Sequence, residues 1–225
     1  MSRAPRVDVG DEIYHIINRT NGRIQIFNSK EDYLHFENLL REAQKLTDMR
    51  IIAYTIMPNH WHLVLYPRHD RDLSVFMQWL TLTHTQQYHV RKNTVGYGHI
   101  YQGRYKSFLV SKDNYLLQLI RYVEQNPLRA KLVKKAEDWQ WGSAWRRYYL
   151  NKTKDKGFLS NIPIDLPNNY RIWLNQLDEN DDLEEIRLSV EKGKPFGTMK
   201  WVDKMVEKFK LLSTTRNGGR PKNST

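Results

Sequence analysis

The chain has 225 residues, with 36 Lys and Arg against 25 Asp and Glu, a formal net charge of +11 and no cysteine. That length holds one fair-sized domain with an appendage or two small domains, and the absence of thiols excludes a disulfide framework and any cysteine-based zinc site. No apolar segment reaches membrane-spanning length and no apolar stretch follows the early arginines, so a reducing, cytoplasmic setting without a membrane partner is expected.

EIYHIINR (12–19) alternates and is rich in branched residues, which predicts a strand, followed by a turn at Asn21-Gly22 and a second short apolar piece, IQIF. Ser29 reads as the N-cap of a helix whose Tyr33, Phe36, Leu39, Leu40, Ala43 and Leu46 recur at helical spacing. RIIAYTIMPNHWHLVLYP predicts two strands broken near Pro58-Asn59, because proline cannot donate to a central ladder. Leu73, Phe76, Met77, Leu80 and His84 mark a second helix over 72–93, and Gly96, Gly98 and Gly103 a loop feeding a strand at YKSFLV. A third helix follows, capped by Ser111 and bounded by Pro127. These elements lack βαβ repeats and predict a compact α+β domain over residues 1–150. Residues 151–225 read as a mostly helical extension with an acidic segment at 178–191, expected to pack on or shield the nucleic-acid face, and a basic tail.

The positive charge is concentrated. Residues 91–147 contain twelve Lys or Arg and four acids, interleaved with Tyr97, Tyr101, Tyr105, Phe108, Trp139, Trp141 and Trp145. Cations with aromatic faces suit unpaired nucleic-acid bases, whereas the plainer reading is a solvated basic surface.

The chemistry centres on His60-Trp61-His62. On a strand the two histidines share one face and Trp61 points to the other. Tyr122 and Asn126, four apart on the third helix, share a face as well. Read singly, the histidines fit hydrogen-bonded half-buried residues, Tyr122 a core aromatic and Asn126 a helix-end cap. Read together, two imidazoles and one amide oxygen form a partial shell with open positions, suited to Mg²⁺ or Mn²⁺ that must also grasp a phosphate. Tyr122 would then supply the attacking oxygen. A phenol with a pKa of about 10 is almost wholly protonated at neutral pH, so a cation on the phosphodiester is needed to lower the barrier.

MPNHWHLVL, GHIYQGRYKSFLV, YLLQLIRYVEQNPLRAKLV and WQWGSAW resemble, in order and spacing over residues 6–147, the REP-associated tyrosine transposases, relatives of the single-strand HUH transposases of bacterial insertion sequences. Trp201-Val202 and Gly219-Arg220-Pro221 resemble that group's usual ending, and Trp61 stands where smaller apolar residues are usual. The resemblance implies a ferredoxin-like antiparallel sheet packed with helices, metal ligands at His60, His62 and Asn126, and Tyr122 as the nucleophile, with Tyr115 as its rival one heptad earlier. It implies single-stranded DNA with hairpins as the partner, cut and rejoined through a phosphotyrosine, by a monomer or a homodimer. Arg104, Lys106, Arg129 and Lys131 flank the site as candidate phosphate contacts, and Arg220 is a candidate minor-groove arginine. The alternatives are a non-catalytic hairpin binder or regulator on the same fold, and a water-using phosphodiesterase that would not need Tyr122.

Overall fold

The computed structural model describes residues 6–150, 157–177 and 181–215. Four antiparallel strands, β1 (Ile13–Arg19), β2 (Arg50–Met57), β3 (His60–Tyr66) and β4 (Lys106–Val110), form one sheet in the order β2-β3-β1-β4. Helix α1 (Lys30–Thr47) joins β1 to β2, and α2 (Asp72–Lys92) joins β3 to β4. Both pack on the same face, and the result is the ferredoxin-like α+β arrangement. No described helix is long and apolar enough to cross a membrane.

Both faces of the sheet are covered, which is why the strands read as nearly continuous apolar runs. Tyr14, Ile16, Trp61, Leu63 and Leu65 enter a core with Phe36, Leu40, Phe76 and Leu80 of α1 and α2. Ile13, Val64, Phe108 and Val110 enter a second core under α3 (Asn114–Glu124) with Leu116, Leu119, Ile120 and Val123. A register shift between Ile51 and Ala53 turns both Ile52 and Ala53 toward α3.

The ends of α1 follow local rules. Ser29 Oγ accepts from the Asp32 amide while the Asp32 carboxylate accepts from the Ser29 amide, a full capping box. The 24–27 piece after the turn is irregular; the Ile26 and Phe27 amides donate to the Pro58 carbonyl, pinning it to the β2–β3 turn.

Two expectations around the third helix are corrected. Its cap is Asp113, whose carboxylate accepts from the Tyr115 amide, while Ser111 Oγ donates to Asp113. The helix ends at Glu124, and Pro127 sits inside a following turn, α4 (Asn126–Arg129), where its missing N–H costs nothing.

Beyond α5 (Ser143–Tyr149), the extension supplies α6 (Tyr170–Asn175), α7 (Asp181–Lys192), α8 (Met199–Lys208) and α9 (Leu212–Thr215). Tyr170, Leu174, Ile186 and Phe196 join the α3-side core, whereas Val202, Met205 and Val206 join the other. The chain crosses between them at the outer edge of β4. There the Phe196 amide donates to Leu109 O at 2.8 Å and the Ser111 amide to Phe196 O at 3.0 Å, covering an otherwise open edge. A Cβ on Gly197 would lie 2.6 Å from Trp201 and 2.8 Å from Ser111 Oγ, so only glycine permits this crossing.

Candidate active site on the histidine face

His60 and His62 project toward α3, and Trp61 is buried on the α1/α2 side. Cross-strand register places Arg19 opposite His60 and Ile17 opposite His62, with Lys106 opposite Ile17 on the far side of β1. The His60 and His62 rings lie 5.2 Å apart, centroid to centroid. His60 is half-buried with Nδ1 at 2.7 Å from Asn59 Oδ1, and His62 is buried with Nδ1 at 2.9 Å from His15 Nε2. Among the described residues, Nε2 of neither ring meets a protein hydrogen-bond partner. Burial pushes His15 down to about 3, burial and then the Arg19 cation push His60 down to about 4, and burial holds His62 well below its ordinary range. All three are therefore neutral at physiological pH, the form in which an imidazole can bind a metal.

Tyr122 stands edge-on to these rings, 5.7 Å from His62 and 6.3 Å from His15 by centroids. Two residues on, buried Glu124 fixes the end of α3. It accepts from Ser143 Oγ at 2.5 Å and Tyr170 Oη at 2.9 Å, and is paired with Arg147. Pro127 cannot donate to Val123 O, and that carbonyl accepts instead from Thr55 Oγ1 at 2.8 Å and Asn126 Nδ2 at 3.3 Å. Asn126 Nδ2 also donates to Tyr122 O at 2.9 Å, so both of its protons are engaged and Oδ1 is what the amide has left for a ligand.

Arg129 lies against the same tyrosine, with its guanidinium 4.6 Å from the Tyr122 ring centroid and donating to Tyr122 O and Gln125 Oε1. Burial pushes the phenol above its usual value, while Arg129, Arg187 and Arg19 pull it back. Burial also lowers Arg129 to about 10, which leaves it cationic at neutral pH.

No group of three or more His, Cys, Asp or Glu among the described residues is placed to hold a metal ion. The donors this face does offer, two imidazole Nε2 atoms without a hydrogen-bond partner among the described residues and a neutral amide oxygen, fit a divalent cation that keeps coordination positions open.

The family model described as "Transposase IS200 like" matches residues 8–126, more than half of the chain. This chain belongs to the IS200-like transposase family. One solved structure, described as a REP-associated tyrosine transposase bound to a REP hairpin, aligns with a TM-score of 0.54 at 18% identity, covering 74% of this chain and 93% of that one. A provisionally named transposase from Deinococcus radiodurans R1 aligns with a TM-score of 0.37 at 21% identity, covering 55% and 97%, too loosely to argue from. No curated protein matches significantly.

Within this IS200-like transposase the remaining candidate residues fall in different surroundings. Arg104 and Lys106 are exposed and, with Arg6 and Lys192, line a groove of about 500 Å³ between β4 and the extension. Lys106 sits on the histidine face, in the cross-strand row of Ile17 and His62. Lys131 is exposed just past α4 with φ 56°, whereas Arg129 is half-buried and engaged as described above. Tyr115 packs edge-on to Phe196 at 4.9 Å, under the extension. Arg220 lies outside the described residues, as does the start of the 178–191 acidic stretch; its helical part, α7, packs on α3 and β4.

Three polar residues at the site escaped the sequence reading. His15 and Thr55 lie in apolar strands and Asn59 in a turn, so their roles depend on the pairing of β3 with β1 and β2. The one available signal was a histidine within IYHIINR, on the same alternation as Ile13 and Ile17.

Proposed function

We propose that this transposase cuts and rejoins single-stranded DNA at hairpin-bearing repeats through a phosphotyrosine on Tyr122, with His60, His62 and Asn126 holding Mg²⁺ or Mn²⁺. The observation that carries this reading is the edge-on approach of the Tyr122 ring to His62, with Asn126 one helical turn further on. When bound, a divalent cation here supplies neutralisation of the charge that builds on the non-bridging phosphate oxygens. Tyr122 Oη attacks phosphorus; the new P–O bond forms as the bond to the leaving sugar oxygen breaks. The phenol loses a proton and the leaving oxygen gains one, giving a free hydroxyl on the other DNA piece. Because one phosphoester replaces another, the link keeps the energy of the broken bond and a hydroxyl can reverse it. Arg129 supplies fixed positive charge beside the attacking ring, and exposed Arg104, Lys106 and Lys131 offer phosphate contacts along the approach. Tyr115, packed on Phe196, stays the rival nucleophile, and Arg220 a candidate tail contact.

Incubating the protein with a hairpin oligonucleotide and Mn²⁺, then denaturing, tests the proposal. A protein–DNA adduct that Tyr122→Phe abolishes and Tyr115→Phe spares is the expected result. An adduct lost only in Tyr115→Phe transfers the role to Tyr115. Cleavage without an adduct means a water-using nuclease, and binding without cleavage a hairpin binder.

A further inference from the structure

His15 and Asn59 bring a lone pair to bear at each of the two histidine rings. Asn59 Nδ2 donates to Arg23 O at 3.0 Å, which fixes the amide so that Oδ1 faces His60 Nδ1 at 2.7 Å. A carbonyl oxygen only accepts, so His60 carries its proton on Nδ1 and presents a bare Nε2. His62 meets a different partner, the His15 ring, stacked 24° from it with Nε2 at 2.9 Å from His62 Nδ1. Here either nitrogen could hold the shared proton. His15 is fully buried, and its other nitrogen, Nδ1, has no hydrogen-bond partner. That atom stays unpartnered in either tautomer, and the choice is set at the ligand face, where a cation on His62 Nε2 requires the shared proton on His62 Nδ1. If His15 Nε2 accepts from His62 Nδ1, then His15 must carry its own proton on the orphaned Nδ1, and His62 Nε2 is left free.

We infer that His15 and Asn59 are positioning residues that set both site histidines in the Nδ1–H tautomer, His15 acting as a neutral acceptor where a carboxylate more often stands. The neutrality has a physical reason. A carboxylate at the fully buried His15 position, against Phe108 and under α3, would bear a heavy desolvation penalty. It would also offset part of the cation's charge, whereas an imidazole orients His62 and leaves the full charge for a phosphodiester. The inference rests on the metal-site reading above.

The test measures Mn²⁺ binding to the full-length protein without DNA, by the loss of the free-ion electron paramagnetic resonance signal, beside imidazole ¹⁵N chemical shifts of the metal-free wild type. Expected are Nδ1–H tautomers for His60 and His62, about 10–100-fold weaker Mn²⁺ binding for His15→Phe, and affinity within about threefold of wild type for His15→Gln, whose amide oxygen can still accept. An Nε2–H tautomer at His62 in the wild type overturns the inference whether or not any variant folds. Binding lost in His62→Ala but unchanged in His15→Phe overturns it while sparing the metal site. Binding unchanged in His62→Ala overturns the site and the inference together.

Discussion

The two faces of the sheet set their histidines in different company. Toward α1 and α2, Trp61 Nε1 donates to Tyr101 Oη at 3.0 Å, and Tyr101 Oη lies 2.6 Å from His84 Nδ1, so buried polar atoms close on one another. Toward α3, His60 and His62 are anchored through Nδ1 only and keep Nε2 unpaired. Neighbouring residues of one strand thus serve two ends. A Trp–Tyr–His chain closed within one core specifies packing, whereas two histidine rings set side by side against a phenol offer a place for a ligand.

Four changes would break or sharpen this contrast. The largest expected effect is on the open face: His62→Ala should cut adduct formation at least about 10³-fold, the rate equivalent of several kcal/mol of lost charge stabilisation, in gel assays of denatured reactions. On the closed face, Trp61→Ala should cost about 3–5 kcal/mol of stability in urea unfolding, because it empties a fully buried site. Activity lost without loss of stability would show that Trp61 belongs to the chemistry instead.

Acid should act through the closed face as well. Burial holds His84 at about 3, so it stays neutral in the fold while the unfolded chain protonates at its ordinary 6.5. The unfolded state then binds more protons between those values, and stability falls as the pH falls, by about 1.4 kcal/mol per unit below 6.5 from this group. Calorimetric melts at pH 7 and 5 should show the drop, and a His84→Gln variant a shallower one. A melting temperature independent of pH over that span would mean that His84 is not the neutral buried group described. The smallest effect is expected for Lys106→Ala: a few-fold loss of single-strand affinity and a salt slope reduced by about 0.7 in binding titrations. An unchanged slope would remove Lys106 from the DNA path.

Much of this was legible from periodicity. Alternation in HWHLVLY separates Trp61 from its neighbours, and the four-residue step from Tyr122 to Asn126 brings the Asn126 amide onto the Tyr122 carbonyl. What periodicity could not show were facts of pairing. His15 reaches His62 because β1 lies beside β3, and Thr55 reaches Val123 O because a proline vacated that carbonyl. Asp113 displaced Ser111 as a cap because two competent acceptors stand two residues apart and only geometry chooses between them. The crossing at Phe196 depends on an open edge at β4, which residue spacing does not reveal.

The most direct test is anomalous scattering from crystals soaked with Mn²⁺ near pH 7.5. The account predicts one peak at bonding distance from Nε2 of His60, Nε2 of His62 and Oδ1 of Asn126, on the side where Tyr122 stands. A peak elsewhere, or none in a protein that still forms the adduct in excess chelator, would contradict it.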